Sequence, residues 1–233
     1  PVANANPIDA FIAVRLTANN LSAAPPADKR TLLRRLHYDV TGLPPTPTSV
    51  KAFLSNDDPG AYEAEIDKLL STHHFGQRWS RYWLDLIRFA DTCGYERDQL
   101  KPNIWKYRDW IINAINADMP YDQFVRDQLA GDEVEYRDEQ SLIATGMIRA
   151  GTWNDEPNDA ADYVYTRLED MVHATTSAFL GLTVKCARCH NHKFDPITQT
   201  DYYRAASIFW PGYIGQANLG GPSPEQLGAD AFG

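Results

Sequence analysis

Apolar residues recur at intervals of three and four along most of this chain. Ile8, Phe11 and Ile12 show this spacing near the start, and Leu32 and Leu36 show it further on. Residues at these intervals share one face of an α-helix. Proline and glycine separate the stretches, as is typical of helix starts and ends. No stretch shows a sustained period of two, which a half-buried strand would require, so the pattern predicts an all-α fold.

The predicted helices extend over most of the 233 residues. That length is enough for one domain with a substantial hydrophobic core. The last stretch, from residue 213, is instead rich in Gly and Pro. We therefore predict a multi-helix single domain over residues 1–212 and a tail or linker over residues 213–233.

The charge balance and the hydropathy argue against two classes of partner. The chain carries 31 acidic and 22 basic residues, a formal net charge of −9, and has no block of Lys and Arg. Such a surface repels phosphate backbones, so we expect no nucleic acid partner. No apolar run approaches the roughly 18 residues that span a bilayer, so we expect no membrane span in this segment. The opening residues have no signal-peptide pattern and are those expected inside a longer protein.

The most specific chemical pattern is the C-x-x-C-H motif at residues 186–190, which contains two of the three cysteines of the chain. This spacing is the attachment signature of c-type haem. Thioether bonds from Cys186 and Cys189 hold one edge of the porphyrin, and the adjacent imidazole of His190 ligates the iron. On a helical turn these positions share a face. The motif therefore favours one covalently attached haem c, enclosed by the helices.

Three other interpretations of the motif stay open at this point. Cys186, Cys189, His190 and His192 have the donor types of a zinc site, but structural zinc sites usually combine ligands from two separate segments. The two cysteines could also form a redox dithiol, although that function is typical of a βαβ context. They could finally be buried thiols without a ligand. We expect Cys93 to be a buried or half-buried structural thiol.

Four blocks of sequence carry a resemblance to a known family. In chain order they read RRLHYDVTGLPPT, FGQRWSRYWLDLIRFADTCGYERD, YRDWIINAINADMPYDQFVRDQLAGD and FLGLTVKCARCHNHKFDPITQTDYYRAASIF. Together they resemble the planctomycete cytochrome C domain family, an uncharacterised domain of large exported proteins, from about residue 7 to about residue 210. The resemblance implies a haem-bearing helical domain in a periplasmic or otherwise exported protein, beside further domains of the same chain. It implies no substrate.

The ligand on the far side of the iron decides between functions. In the family that the chain resembles, a histidine precedes the Gly and Arg-Trp that match Gly76, Arg78 and Trp79 here. We therefore predict His74 as the distal iron ligand or as a distal acid or base. The alternatives are a histidine that only caps a helix and an iron whose sixth position is open.

Three further residues are predicted to support the cofactor. His192 lies on the same side of the haem as His190, so we expect it to hydrogen-bond a propionate, a backbone carbonyl or a nearby carboxylate. Arg88 and Arg108 are predicted to contact the propionates, because a guanidinium suits bidentate carboxylate binding. The alternative for these arginines is an internal ion pair, Arg88 with Asp91 and Arg108 with Asp109 or Asp85.

We expect a monohaem c-type cytochrome domain that transfers one electron at a time to or from a redox partner protein or a neighbouring domain. Iron with two protein ligands suits that function, whereas an open position suits chemistry on a small molecule. The alternatives are a haem-dependent redox enzyme, either peroxidase-like or carbohydrate-oxidising, and a domain that binds a diatomic gas.

Overall fold

The computed structural model describes residues 6–154 and 156–213. Helices are the regular secondary structure of these residues, and the one departure is an isolated antiparallel bridge between Thr92 and Leu100. The all-α prediction is therefore confirmed. No helix in this part of the chain is both long enough and apolar enough to cross a bilayer, which agrees with the prediction of no span in this segment.

The chain divides between Ile66 and Asp67 into two compact units. The domain boundaries expected from the sequence, 1–212 and 213–233, stay predictions. From residue 214 onwards the expected tail lies outside the described residues.

The first unit contains the helices α1 (Pro7–Ala18), α2 (Lys29–Thr41) and α3 (Pro47–Leu54) and the start of α4 (Ala61–Leu70). Local sequence explains where the first three begin. The Asn6 side chain accepts a hydrogen bond from the backbone N–H of Ile8, and Asp28 accepts one from Thr31. Thr46 caps α3 in the same way. Each cap satisfies a backbone N–H group that would otherwise lack a partner at the helix start.

A small core in the first unit contains Leu33, Leu36 and Phe53, all of which are buried. Beside it, His37 Nε2 lies 3.3 Å from Glu65 Oε1. By contrast, α1 contributes no buried residue, although its apolar spacing is helical. The packing of this unit therefore comes from the helices that follow α1.

The second unit contains the remaining helices of the described residues and one 3₁₀ turn. They are α5 (His73–Leu86), α6 (Trp105–Asn116), α7 (Tyr121–Ala130), α8 (Glu139–Ala144), α9 (Gly146–Arg149), α10 (Ala160–Leu180), the 3₁₀ turn (Val184–Arg188) and α11 (Gln199–Tyr213).

Two hydrophobic clusters form the interior of the second unit. The larger one surrounds Tyr107, Ile111 and Met147, and its buried polar groups are satisfied internally. The Gln128 side-chain oxygen accepts hydrogen bonds from the Tyr107 hydroxyl at 2.6 Å and from Trp83 Nε1 at 2.9 Å. The smaller cluster joins α10, the 3₁₀ turn and α11. This smaller cluster positions the C-x-x-C-H motif.

Candidate functional site

The motif follows a break in the chain direction at the end of α10. Gly181 has a φ of +65°, the left-handed conformation that glycine adopts without the steric cost that a Cβ brings. Its N–H donates to the Ser177 carbonyl, and the Leu182 N–H donates to that of Thr176. The sequence indicates a long helix that runs into the cysteines, with an interruption at Gly181 as an alternative, and the structure has the interruption. The helix ends first, and the motif lies on a separate turn.

The packing of the 3₁₀ turn directs both cysteines outward. Residues three apart share a face in a 3₁₀ helix. Val184 and Ala187 face the smaller cluster and retain 7% and 0% of their accessible surface. Cys186 and Cys189 are also three apart, and both are exposed free thiols. Two buried apolar side chains therefore present two accessible sulfurs to solvent.

Ion pairs to α10 fix the orientation of this turn. The Glu169 carboxylate lies 3.0 Å from Lys185 Nζ and also accepts a hydrogen bond from the Arg188 guanidinium. Burial by itself would raise the pKa of Glu169, but the hydrogen bonds and charges of the two cations outweigh it, so the pKa is lowered. From α11, Gln199 Nε2 donates to the Arg188 carbonyl at 2.9 Å. The turn is thus held by both helices that pack against it.

His190 is exposed, and its hydrogen bond determines which ring nitrogen carries the proton. Nδ1 lies 2.7 Å from the Asn191 carbonyl oxygen, which can only accept, so Nδ1 carries the proton. Nε2 then has a free lone pair, and no group among the described residues is hydrogen-bonded to it. This is the tautomer in which a histidine ligates a metal through Nε2.

His192 uses both ring nitrogens inside the protein, where its side chain keeps only 6% of its accessible surface. The Asp195 backbone N–H donates to Nδ1 at 2.9 Å, so Nδ1 is an acceptor and the proton lies on Nε2, 3.0 Å from Thr183 Oγ1. The Asp195 carboxylate is also 3.2 Å from Nδ1. The backbone N–H of Asp195 is closer and can only donate, so it decides the tautomer. His192 therefore links the two ends of the loop that contains the motif. Its contact with a cofactor stays a prediction.

The zinc interpretation finds no support in this geometry. Within the part of the chain that the structure describes, no three His, Cys, Asp or Glu side chains are grouped to hold a metal ion. Cys186, Cys189 and His190 face solvent, whereas His192 is directed inward. The βαβ context of a redox dithiol is likewise absent from the described residues.

His74 lies in the first turn of α5. Its Nδ1 is 3.0 Å from Gln77 Oε1, one helical turn along, and its ring centroid is 3.9 Å from that of His73. Among the hydrogen bonds, ion pairs and ring contacts of the described residues, none joins His74 to the motif. Its role as a distal ligand stays a prediction.

Both arginines that were predicted to bind propionates have carboxylate partners within the protein. Arg88 forms a bidentate pair with Asp170, with Nε–Oδ1 and Nη2–Oδ2 distances of 2.8 and 2.6 Å. Arg108 Nε donates to Asp109 Oδ1 at 2.9 Å. The internal alternative thus identified the partner of Arg108, whereas Arg88 pairs with Asp170 and not with Asp91. Propionate binding by either residue stays a prediction.

Exposed apolar side chains precede and follow the motif. Leu180 and Leu182 come before it, and Phe194, which is 83% exposed, comes after it. The Phe194 ring lies edge-on to that of His192 at 6.4 Å. Apolar groups beside outward thiols and a free imidazole nitrogen suit a large apolar ligand with a metal at its centre.

A family model described as PSCyt2, protein of unknown function (DUF1549), matches residues 7–211. The chain belongs to the PSCyt2 family. This is a planctomycete cytochrome-like family name, so the resemblance drawn from the four sequence blocks is confirmed for the family itself. No curated protein and no solved structure matches this PSCyt2 chain.

Sequence analysis missed the residues that position the motif in this PSCyt2 chain. Glu169 looks like any other carboxylate of a long helix, and Thr183 like any loop residue. One signal was present: Lys185 and Arg188 are three apart and so share a face of the 3₁₀ turn, which predicts a common acidic partner. The local sequence does not indicate which carboxylate that partner is.

Proposed function

We propose that this PSCyt2 chain is a c-type cytochrome domain that holds one haem through Cys186, Cys189 and His190 and takes part in one-electron transfer. The observation that carries the proposal is the 2.7 Å contact of His190 Nδ1 with the Asn191 carbonyl, next to two exposed free thiols. The Nε2 lone pair of His190 is exposed beside two outward free thiols, while Nδ1–H donates to a backbone carbonyl. A hydrogen bond from Nδ1–H orients the ring of metal-ligating histidines in general.

The surrounding residues fit a haem at this place. Covalent attachment needs both thiols free and accessible on one turn, and the burial of Val184 and Ala187 satisfies this condition. An apolar macrocycle also needs apolar contacts, which the exposed side chains of Leu182 and Phe194 can supply. When bound, a haem supplies a one-electron couple between ferric and ferrous iron.

The residues of the chain have distinct tasks in this proposal. The thiols of Cys186 and Cys189 form the thioether bonds, and His190 Nε2 ligates the iron. The Glu169 carboxylate keeps the turn in place through its two cations. His192 has no free nitrogen for ligation, so it fixes the loop rather than the iron.

The position of the motif supports exchange of electrons with another protein. Both thiols and the imidazole lie at the surface, so an edge of the macrocycle would remain close to a docked redox partner or to a neighbouring domain of the same chain. Because c-type haem is attached after export, we place the protein in the periplasm or another exported compartment.

Intact-mass measurement tests the attachment. The chain is produced in a bacterium that attaches haem in its periplasm, together with Cys186→Ala/Cys189→Ala and, as a matched control, Cys93→Ala. We expect the wild type and the control to carry one haem that survives acid extraction, and the double variant to carry none. A wild-type mass equal to that of the bare polypeptide would refute the proposal.

Absorption spectra of the same material test electron transfer against the alternatives. Low-spin bands that carbon monoxide leaves unchanged indicate two protein ligands and support electron transfer. A high-spin ferric spectrum with rapid carbon monoxide binding supports the enzyme or gas-binding alternative. In the first case, His74→Ala should shift the spectrum toward high spin, with His73→Ala as the neighbouring control.

A further inference from the structure

The second unit contains a concentration of positive charge well away in sequence from the C-x-x-C-H motif. Its members are three arginines and a lysine around the buried Gly151, together with one carboxylate. They are Arg88, Lys101, Arg149, Arg167 and Asp170. Among the described residues, Asp170 is the one carboxylate that forms an ion pair with any of these cations. We call these five residues the cationic cluster.

Arg167 is only 4% exposed and is incompletely satisfied. Its Nη1 donates to the Thr152 carbonyl at 2.5 Å and lies 3.2 Å from Asp170 Oδ2. Its Nε is buried and has no hydrogen-bond partner. A buried charged donor without an acceptor is destabilising, which indicates that an acceptor belongs here.

Arg149 lacks an acceptor altogether within the described residues. Its guanidinium carbon lies 5.0 Å from the centroid of the Trp153 ring, and that of Arg167 lies 5.5 Å from the same centroid. The ring attracts both cations through its π-electrons. Burial lowers the pKa of Arg149, so its charge is held in surroundings that solvate it poorly.

The backbone at Gly151 is fitted closely to the charged groups. A Cβ on this residue would lie 2.3 Å from Asp170 Oδ2 and 2.9 Å from Arg88 Nη2, so only glycine allows this approach. Lys101 Nζ donates to the carbonyls of Ala150 and Gly151 at 2.8 and 2.9 Å. The cations are thus set in a defined framework and do not lie on a mobile surface.

The cluster has four cations for one carboxylate, and such an excess is unfavourable around a buried charge such as Arg167. Nε of Arg167 is buried without a partner, and the half-buried Arg149 contacts the same indole ring. We propose that the cationic cluster binds a small oxyanion, which accepts hydrogen bonds from Arg149 and from Nε of Arg167. The planar fork of guanidinium donors matches carboxylate and sulfate-like ions.

Titration of the full chain with sodium sulfate and with sodium acetate, at ionic strength held constant with sodium chloride, tests this proposal. Thermal unfolding and tryptophan fluorescence report binding, the latter because Trp153 contacts both arginines. We expect a saturable rise in Tm, of about 5–10 °C at 100 times Kd. Arg149→Gln should weaken binding roughly 10- to 100-fold, while Arg149→Lys, which keeps the charge but not the fork, should weaken it less.

Arg126→Gln is the matched control, since Arg126 is an exposed arginine of α7 that pairs with Asp122. It should titrate as the wild type does. An equal, unsaturable response in all variants, or no response in any, overturns the proposal. Repeating the titration on haem-loaded protein distinguishes two sources of the oxyanion. If haem loading leaves the titration with sulfate or acetate unchanged, the cluster binds a free ion. If the titration is lost only after haem loading, a haem propionate occupies the same cluster.

Discussion

Two consecutive carboxylates of α10, Glu169 and Asp170, each pair with two cations but in different surroundings. Successive residues of a helix point about 100° apart, so one carboxylate reaches the 3₁₀ turn and the other reaches the cationic cluster. The partners of Glu169 include the exposed Lys185, whereas those of Asp170 include the buried Arg167. The two carboxylates therefore form the same kind of ion pair, but with cations that differ in burial.

At Glu169 the cations Lys185 and Arg188 keep 50% and 28% of their side-chain surface, so solvent screens the pairs from the cation side, and they contribute little to stability and mainly set the orientation of the turn. At Asp170 one of the two cations, Arg167, keeps only 5% of its side-chain surface, and loss of the carboxylate would leave this buried charge and that of Arg88 without their ionic partner. The comparison separates a carboxylate that positions a functional motif from one on which folding depends.

The largest expected effect on stability is that of removing the Asp170 carboxylate. Asp170→Asn keeps the shape of the side chain but removes its charge, and we expect it to lower the free energy of unfolding by about 3–5 kcal/mol. Glu169→Gln, the matched change one residue earlier, should cost about 1 kcal/mol or less. Urea unfolding followed by circular dichroism measures both values. Equal losses in the two variants contradict the distinction.

A smaller loss of stability is expected from a change at His192, which follows the 3₁₀ turn in the chain. His192→Phe keeps an aromatic ring but leaves the Asp195 N–H without an acceptor, so we expect a loss of about 1–3 kcal/mol. The absorption spectrum of haem-loaded protein should not change, because the residue fixes the loop and does not ligate iron. Thr183→Val removes only the Nε2 partner and serves as the milder control. A spectral change in His192→Phe but not in Thr183→Val contradicts the positioning role.

The features that the sequence predicted well are local ones. Helical spacing, the break at Gly181 and the pairing of Arg108 with Asp109 all arise between residues close in the chain. The motif was likewise recognisable because its chemistry lies within five residues. The tautomer of His190, which supports the proposed function, depends on a contact with the backbone carbonyl of the next residue, Asn191. Residue types alone do not predict the direction of that carbonyl.

The features that sequence analysis missed depend on long-range contacts. Arg88 lies 82 positions from Asp170, and no local pattern distinguishes that partner from the nearby Asp91. Apolar spacing, for its part, identifies a face of a helix but not what covers it. Phe11 on α1 has the spacing of a core residue and is 78% exposed. Periodicity thus predicts elements, whereas the pairing of faces and charges is decided in the folded chain.

The smallest expected effect lies in the dependence of stability on pH. Burial would raise the pKa of Asp170, as it would that of Glu169, but the neighbouring cations lower both. A lowered carboxyl pKa gives stability that is present above the unfolded value of about 4 and is lost as the pH falls through the folded value. Between about pH 5 and pH 3 the free energy of unfolding should therefore decline less in Asp170→Asn and in Glu169→Gln than in the wild type. For Glu169→Gln the difference from the wild type over this range should be about 1 kcal/mol or less. Thermal unfolding across this range measures the slopes, and a steeper decline in Asp170→Asn than in the wild type contradicts the assigned direction.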